Sequence, residues 1–163
     1  GSDDYGQSSP PDGSFTGIVA GAQHNCALDG AGNVTCWGMN VSGQSSPPAG
    51  SFIAIAGGYI HNCSLVGWGK VTCWGWDTYG QSSPPDGWFT AIAAGHYHTC
   101  ALQETKATCW GDDIFGQSSP PGGSFTALAA GGDNTCALNS AGKVTCWGAN
   151  HYGQSTPPPE FTP

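Results

Sequence analysis

Eight cysteines and five histidines carry most of the chemical potential in this 163-residue sequence. The cysteines fall as Cys26/Cys36, Cys63/Cys73, Cys100/Cys109 and Cys136/Cys146, and His24, His61 and His98 each stand two residues ahead of the first cysteine of a pair. Thiols beside imidazoles can bind zinc, act as activated nucleophiles, or oxidise. A structural zinc site is typically built around a close Cys-x2-Cys pair. No such pair occurs, and the fourth unit has Asn134 in place of the histidine. A catalytic thiol would be set apart from the others, whereas every cysteine here has a partner at a repeated spacing. Oxidation fits best. Each pair straddles a short turn symmetrically, which sets the two residues opposite one another on adjacent strands, with β-carbons about 4.5–5.5 Å apart and near the reach of a disulfide. The third pair is one residue shorter, and the missing residue falls in the turn Gln103–Lys106, so the opposition is kept. Of the many pairings open to eight cysteines, the pattern selects four disulfides, one per unit. Such bonds persist in oxidising compartments, so the sequence predicts an extracellular or cell-surface protein. No metal or other cofactor is called for. The histidines are expected to satisfy backbone groups between units, a role that asparagine can share.

A second group of residues could bind a ligand. Two windows differ from unit to unit: one follows each Trp-Gly, as in Trp76-Asp-Thr-Tyr79, and the other precedes the first cysteine, as in His96-Tyr97. Aromatic rings beside Asp and Asn suit carbohydrate, because a ring face stacks on C–H groups while polar side chains bind hydroxyls. Trp76, Asp77 and Tyr79, with Trp88 and Tyr97, form the candidate cluster. The alternative is that these rings pack against the neighbouring unit. Asp-Asp at 3–4 and 112–113 suggests calcium only weakly, since no fuller set of oxygens accompanies it. Glycosylation sequons begin at Asn33, Asn40 and Asn62. Asn33 and Asn40 lie at a turn and in a loop and are the candidate sites; Asn62 adjoins a cystine. No acid/base pair, nucleophile constellation or phosphate loop stands out, and the chain reads as non-enzymatic.

Composition narrows the partners. The net charge is −8, with three lysines and no arginine. Nucleic-acid binding relies on cationic side chains to displace counterions from phosphates, and anionic membranes select for the same groups. Neither partner fits, and no apolar run reaches the roughly 20 residues of a membrane span. No leader-like segment opens the sequence, which reads as a mature chain or an excised piece. Glycine (27) and proline (12) are abundant, but seven Trp, five Tyr and six Phe supply material for a core.

The elements that position these residues repeat. Gly-Gln-Ser-(Ser/Thr)-Pro-Pro begins at Gly6, Gly43, Gly80, Gly116 and Gly153, at spacings of 37, 37, 36 and 37. Four complete units are expected at about 6–42, 43–79, 80–115 and 116–152, with a partial unit at 153–163, all in one repeat domain. Within the first unit, Asn25–Leu28 and Asn33–Trp37 read as strands around a glycine-rich turn. Phe15–Gly21 reads as a tightly packed inner strand. The Ser-(Ser/Thr)-Pro-Pro segments are expected to be extended, solvated linkers. Three short antiparallel strands cannot bury both faces alone, so neighbouring units must stack.

The run His-x-Cys-Ala-Leu, Gly-x-Val-x-Cys-Trp-Gly, a few variable residues, then Gly-Gln resembles the repeat of the regulator-of-chromosome-condensation family over essentially the whole chain. The resemblance implies an all-β, β-propeller-like array, commonly seven-bladed, and its short-repeat bacterial relatives include an inhibitor of β-lactamases. The repeat here is shorter than in the nuclear members and every unit carries a cysteine pair. The acidity argues against a chromatin role, so fold transfers and function does not. The two ends duplicate one another, which leaves three arrangements open: a four-bladed ring with an overhang, a slice of a longer array, or a subunit that joins the next. The expected function is a non-enzymatic structural or scaffolding module of the cell exterior, self-associating or stacked on neighbouring repeats. The alternative is a carbohydrate- or protein-binding propeller that uses its variable loops on glycans or an extracellular protein.

Overall fold

The computed structural model describes all 163 residues as four three-stranded antiparallel sheets. The first contains β1 (Phe15–Ala20), β2 (His24–Asp29) and β3 (Val34–Gly38). The second contains β4 (Phe52–Gly57), β5 (His61–Val66) and β6 (Val71–Gly75). The third contains β7 (Ala91–Ala94), β8 (His98–Gln103) and β9 (Lys106–Gly111), and the fourth β10 (Ala127–Ala130), β11 (Asn134–Leu138) and β12 (Val144–Gly148). The one helical element is a short 3-10 turn at Pro159–Phe161. No helix is long and apolar enough to cross a membrane.

Local chemistry explains the hairpins. Asp29 accepts from the backbone N–H groups of Ala31 and Asn33, and Gly32 takes φ +88°, so the turn closes without strain. Asn139 does the same for Ala141 and Lys143. In the third sheet the turn tightens around Glu104, and Gln103 pairs directly with Lys106. The deletion is absorbed there. Cys26 therefore faces Cys36, Cys63 faces Cys73, Cys100 faces Cys109 and Cys136 faces Cys146, and all four pairs are bonded.

The sheets stack through both faces. Between the second and third, Cys63 and Leu65 meet Phe89, Ala101 and Trp110. Between the third and fourth, Cys100 and Leu102 meet Phe125, Ala137 and Trp147. The middle strands β5 and β8 thus show a run of buried residues rather than an alternation. Each phenylalanine enters from the linker and is pinned by its own backbone: Phe52, Phe89 and Phe125 donate their N–H to Gly32, Gly69 and Thr105 in the hairpin turn of the preceding sheet. No backbone hydrogen bond joins the fourth sheet to the first. Phe15 and Ile18 on the first sheet and Leu138 on the fourth remain exposed. The array is an open arc.

The linkers are more structured than extended segments. Asp77 accepts from Ser82 N–H at 2.6 Å and from the Ser83 hydroxyl, while the Ser82 hydroxyl donates to the Trp76 carbonyl. Asp113 and Asn40 build the same turn in their units. An acidic or amide side chain three residues before glycine caps the first serine, and only the Pro-Pro portion is left to run free.

Candidate functional rim and junctions

The repeated polar residues build the junctions between sheets. His24, His61 and His98 are fully or almost fully buried. Their Nε2 atoms lie 3.0 Å from Asn62 Oδ1, 2.9 Å from Thr99 Oγ1 and 2.8 Å from Thr135 Oγ1, each on the next sheet. Asn62 and Thr99 in turn donate to the carbonyls of Gln44 and Gln81, at 2.8 and 3.1 Å. The acceptor role of Asn62 Oδ1 and Thr99 Oγ1 fixes the tautomer: the imidazole donates from Nε2, and Nδ1 carries the lone pair. The expected partner was a backbone group; the observed one is a side chain, because the middle strand of the next sheet offers its residue beside the cysteine at that height. Asn134, in the fourth histidine position, has no next sheet to meet. Burial holds His61 and His98 at about 4, far below the ordinary imidazole range, and lowers His24 as well.

Glycine makes room for these rings. A Cβ on Gly58 would collide with the His61 ring and the Gly95 carbonyl, and one on Gly95 with His98 and the Gly131 carbonyl. The same glutamines that receive Asn62 and Thr99 also take the indole N–H of Trp74 and Trp110, both at 3.0 Å. Their side-chain carbonyls accept from Ser42 and Tyr79 N–H. The repeated histidines and glycines are therefore committed to holding one sheet on the next, and the repeated glutamines and tryptophans to holding each linker on the sheet of its own unit, as Trp37 and Gln7 do on the first sheet.

The two variable windows share one rim. Trp76 donates its N–H to the Ile60 carbonyl and Asp112 to that of Tyr97, so the segment after each Trp-Gly lies against the one before each cysteine strand. Five rings gather there across the boundary between the second and third sheets. Trp76 lies 5.3 Å from Tyr97 and 5.6 Å from Tyr79, both edge-to-face, and Tyr79 lies 5.5 Å from Tyr97. Tyr59 joins at 5.6 Å from Tyr97 and 5.1 Å from His96. Burial, reinforced by Tyr59 and Tyr79, raises the Tyr97 phenol above its ordinary range, so it is a neutral donor. The glycines Gly21, Gly58, Gly95 and Gly131, together with Tyr59 and His96, line a depression of about 340 Å³ beside this cluster.

The candidate residues divide. Trp76, Tyr79 and Tyr97 come together. Asp77 stands beside them in sequence, but its carboxylate is engaged by Ser82 and Ser83, so it serves the turn. Trp88 makes no ring contact with the cluster; it is exposed in the linker, its backbone beside the Gly69 turn. Tyr59 and His96 were not singled out by sequence, although both lie in the variable window. Asn33 and Asn40 are exposed with their amides bound to Asp29 and Ser46, and Asn62 is buried. Asp3, like Asp113, caps a serine turn, and no three His, Cys, Asp or Glu side chains converge.

The model of the regulator of chromosome condensation (RCC1) repeat matches residues 15–44 and 125–154. Among solved structures, the chain is similar to the CRINKLY WD40 ectodomain of the Arabidopsis thaliana receptor kinase ACR4, with 32% identity and a TM-score of 0.71, over 82% of this chain and 50% of that one. The ectodomain of the Physcomitrella patens receptor kinase CR4 is similar at 29% identity and a TM-score of 0.73, over 85% of this chain and 42% of that one. Prp20p from Saccharomyces cerevisiae shares the fold at 20% identity and a TM-score of 0.74, over 91% of this chain and 47% of its own. The chain thus spans half or less of the length of these structures. No curated protein matches the sequence.

Proposed function

Since this chain is built of regulator-of-chromosome-condensation repeats in the all-β propeller manner, we propose that it is a non-enzymatic scaffolding module of the cell exterior. One observation carries the reading: the repeated imidazoles are spent on the junctions and the repeated glutamines and indoles on the linkers, which leaves a scaffold whose variable rim is free to contact others. The four disulfides and the likeness to receptor-kinase ectodomains support an extracellular setting. Each staple closes a loop of 9 or 10 residues, worth about 2.7 kcal/mol on the chain-entropy model. Chain recovered from a secretory medium is expected to titrate no free thiol, and the Cys63→Ala/Cys73→Ala variant to lose about that much stability in urea. Free thiols in the secreted protein, or an unchanged midpoint, would contradict the reading.

The aromatic rim favours a second reading, a carbohydrate- or protein-binding surface. Trp76, Tyr79 and Tyr97 bring three aromatic rings and a neutral phenol together on the rim, a combination suited to stacking a ring face on sugar C–H groups and donating to hydroxyls. On a glycan array the chain is expected to retain specific sugars and Trp76→Ala to lose them by tenfold or more. An empty array, or hits that survive Trp76→Ala, would sink the lectin version and leave a protein partner for the rim. The sequons at Asn33 and Asn40 sit on exposed surface and suit attachment of glycans in a eukaryotic secretory pathway.

A further inference from the structure

Where the rim crosses from one sheet to the next, the residues at a few repeat positions decide how closed the crossing is. At the boundary between the first and second sheets, Met39 donates its N–H to the Gln23 carbonyl at 2.8 Å, and Ala22 donates to the Tyr59 carbonyl at 3.1 Å. These bonds help set Ala22, Gln23, Met39, Gln44, Tyr59 and Ile60 around a hollow of about 180 Å³. One boundary further on, the places of Met39 and Ile60 are taken by Trp76 and Tyr97, whose rings meet edge to face at 5.3 Å. At the third boundary they are taken by Asp112 and Asp133. The smaller, unbranched Met39 and the aliphatic Ile60 leave the first crossing open.

A buried donor serves this hollow. Gln44 is fully buried, and its Oε1 accepts from the Ser42 N–H at 2.8 Å, which turns Nε2 the other way. That Nε2 has no hydrogen-bond partner. Gln117 holds its own turn in the same manner, accepting from the Phe115 N–H, and its Nε2 donates to Asp112 Oδ2 at 2.8 Å. Asp112 stands in the repeat position of Met39. The fourth unit thus shows what the Gln44 amide lacks: an acceptor oxygen on the Met39 side, where a thioether is only a weak acceptor. A buried amide N–H left unbonded is costly, and Met39 and Gln44 both line the hollow through which an outside oxygen can reach it.

We propose that this hollow is a subsite for one sugar ring, with a ring hydroxyl accepting from Gln44 Nε2. A neutral oxygen is favoured over a carboxylate, because none of the six lining residues is cationic and the chain carries a charge of −8. The walls suit a sugar. Tyr59, 40% exposed, offers an aromatic surface for C–H groups, and Met39 and Ile60 extend it. Exposed Gln23 brings a second amide, able to donate to or accept from a neighbouring hydroxyl. Tyr59 also lies 5.6 Å from Tyr97, so the subsite adjoins the aromatic cluster and an oligosaccharide can occupy both. The inference rests on the carbohydrate-binding reading and adds to it a second place on the rim and the hydrogen bond that selects a hydroxyl there.

Met39→Asp copies the Asp112 arrangement, so it satisfies Gln44 from within and occupies the hollow. The variant is expected to keep the circular dichroism of the parent and a urea midpoint no lower. On the glycan array its hits are expected to weaken tenfold or more, as in Trp76→Ala. In proton–nitrogen spectra of the parent, the Gln44 side-chain amide is expected to move with the methyl glycoside of glucose, galactose, mannose or N-acetylglucosamine, and to stay still in N-methylacetamide or acetate at the same concentration. Array hits that need Trp76 but survive Met39→Asp overturn the subsite and leave the lectin reading standing. A Gln44 amide that answers to N-methylacetamide or acetate and to no glycoside also overturns it, in favour of a peptide or an acid. An array without hits, together with a Gln44 amide that no glycoside moves, removes both.

Discussion

Between pH 6.5 and pH 4 the protein is expected to lose on the order of 6 kcal/mol of stability, and to do so through His61 and His98. Both rings are buried with Nδ1 facing no partner, and desolvation holds their titration at about 4. In the unfolded chain the same rings titrate near 6.5. Above that pH both states are neutral and the full stability is present. As the pH falls below it, the unfolded chain takes up protons that the folded chain refuses, so stability declines until the folded value is reached. A depression from 6.5 to about 4 corresponds to about 3 kcal/mol for each ring. Most small domains have only about 5–15 kcal/mol in total, so much of the arc should be unfolded near pH 4. His24, also lowered by burial, acts in the same direction. Asp3 and Asp29 are held below the carboxylate range, chiefly by Ser9 and Asn33, and contribute losses only at lower pH. Urea midpoints at half-unit steps of pH test this. The His61→Asn/His98→Asn variant should start lower and show a much shallower profile over the same window, with only the His24 contribution left. A flat profile in the parent would remove the argument.

Truncating Phe89 should be the most damaging single loss from the apolar core. Phe89→Ala removes a ring that is 3% exposed and lies against Trp110, with centroids 6.2 Å apart. It also plugs the space between Leu65 and Ala101, so neither sheet can close over the gap. Large-to-small changes of this kind cost about 3–5 kcal/mol. Phe15→Ala makes the same chemical change at the same place in the repeat, but on the uncovered face of the first sheet. Its ring is already in water over more than a third of its surface, and the cost should be about 1 kcal/mol or less. Chemical denaturation of the two variants at one protein concentration compares them directly. Equal losses would mean that burial at the junction does not hold the arc together.

Much of this architecture could be read from residues alone. The equal spacing of Cys26/Cys36 and its counterparts determined which cysteines face each other, because a hairpin with a symmetric turn leaves no other register. The one-residue deletion near Glu104 had to lie in the turn, since anywhere else it would have separated Cys100 from Cys109. The histidines were harder. Their partners lie 37 or 38 residues away, a separation visible in the repeat, but which group meets the ring depends on how one sheet is laid on the next. Asp77 looked like a ligand because its neighbours are aromatic, yet a carboxylate three residues before glycine folds back on the following serines. Trp88 shared its aromatic character with Trp76 but belongs to a linker at another edge. Tyr59 and His96 joined the cluster only through the pairing of two loops from different units. The openness of the arc was left undecided because a repeat pattern is the same in a ring and in a row.

The cystine in each hairpin also sets how the array would yield to tension. If a sheet is pulled out of the arc, the chain from Cys63 to Cys73, a sequence separation of 10, stays bypassed by the covalent bond, and only the rest of a unit of 37 residues can lengthen. At roughly 3.5 Å per residue, that limits the extension to about 95 Å per unit instead of about 130 Å. The junctions on either side are separate bodies of contact, so one unit can give way while its neighbours hold. An oxidised array of this kind would lengthen in short, bounded steps and keep a folded-back tether in every one.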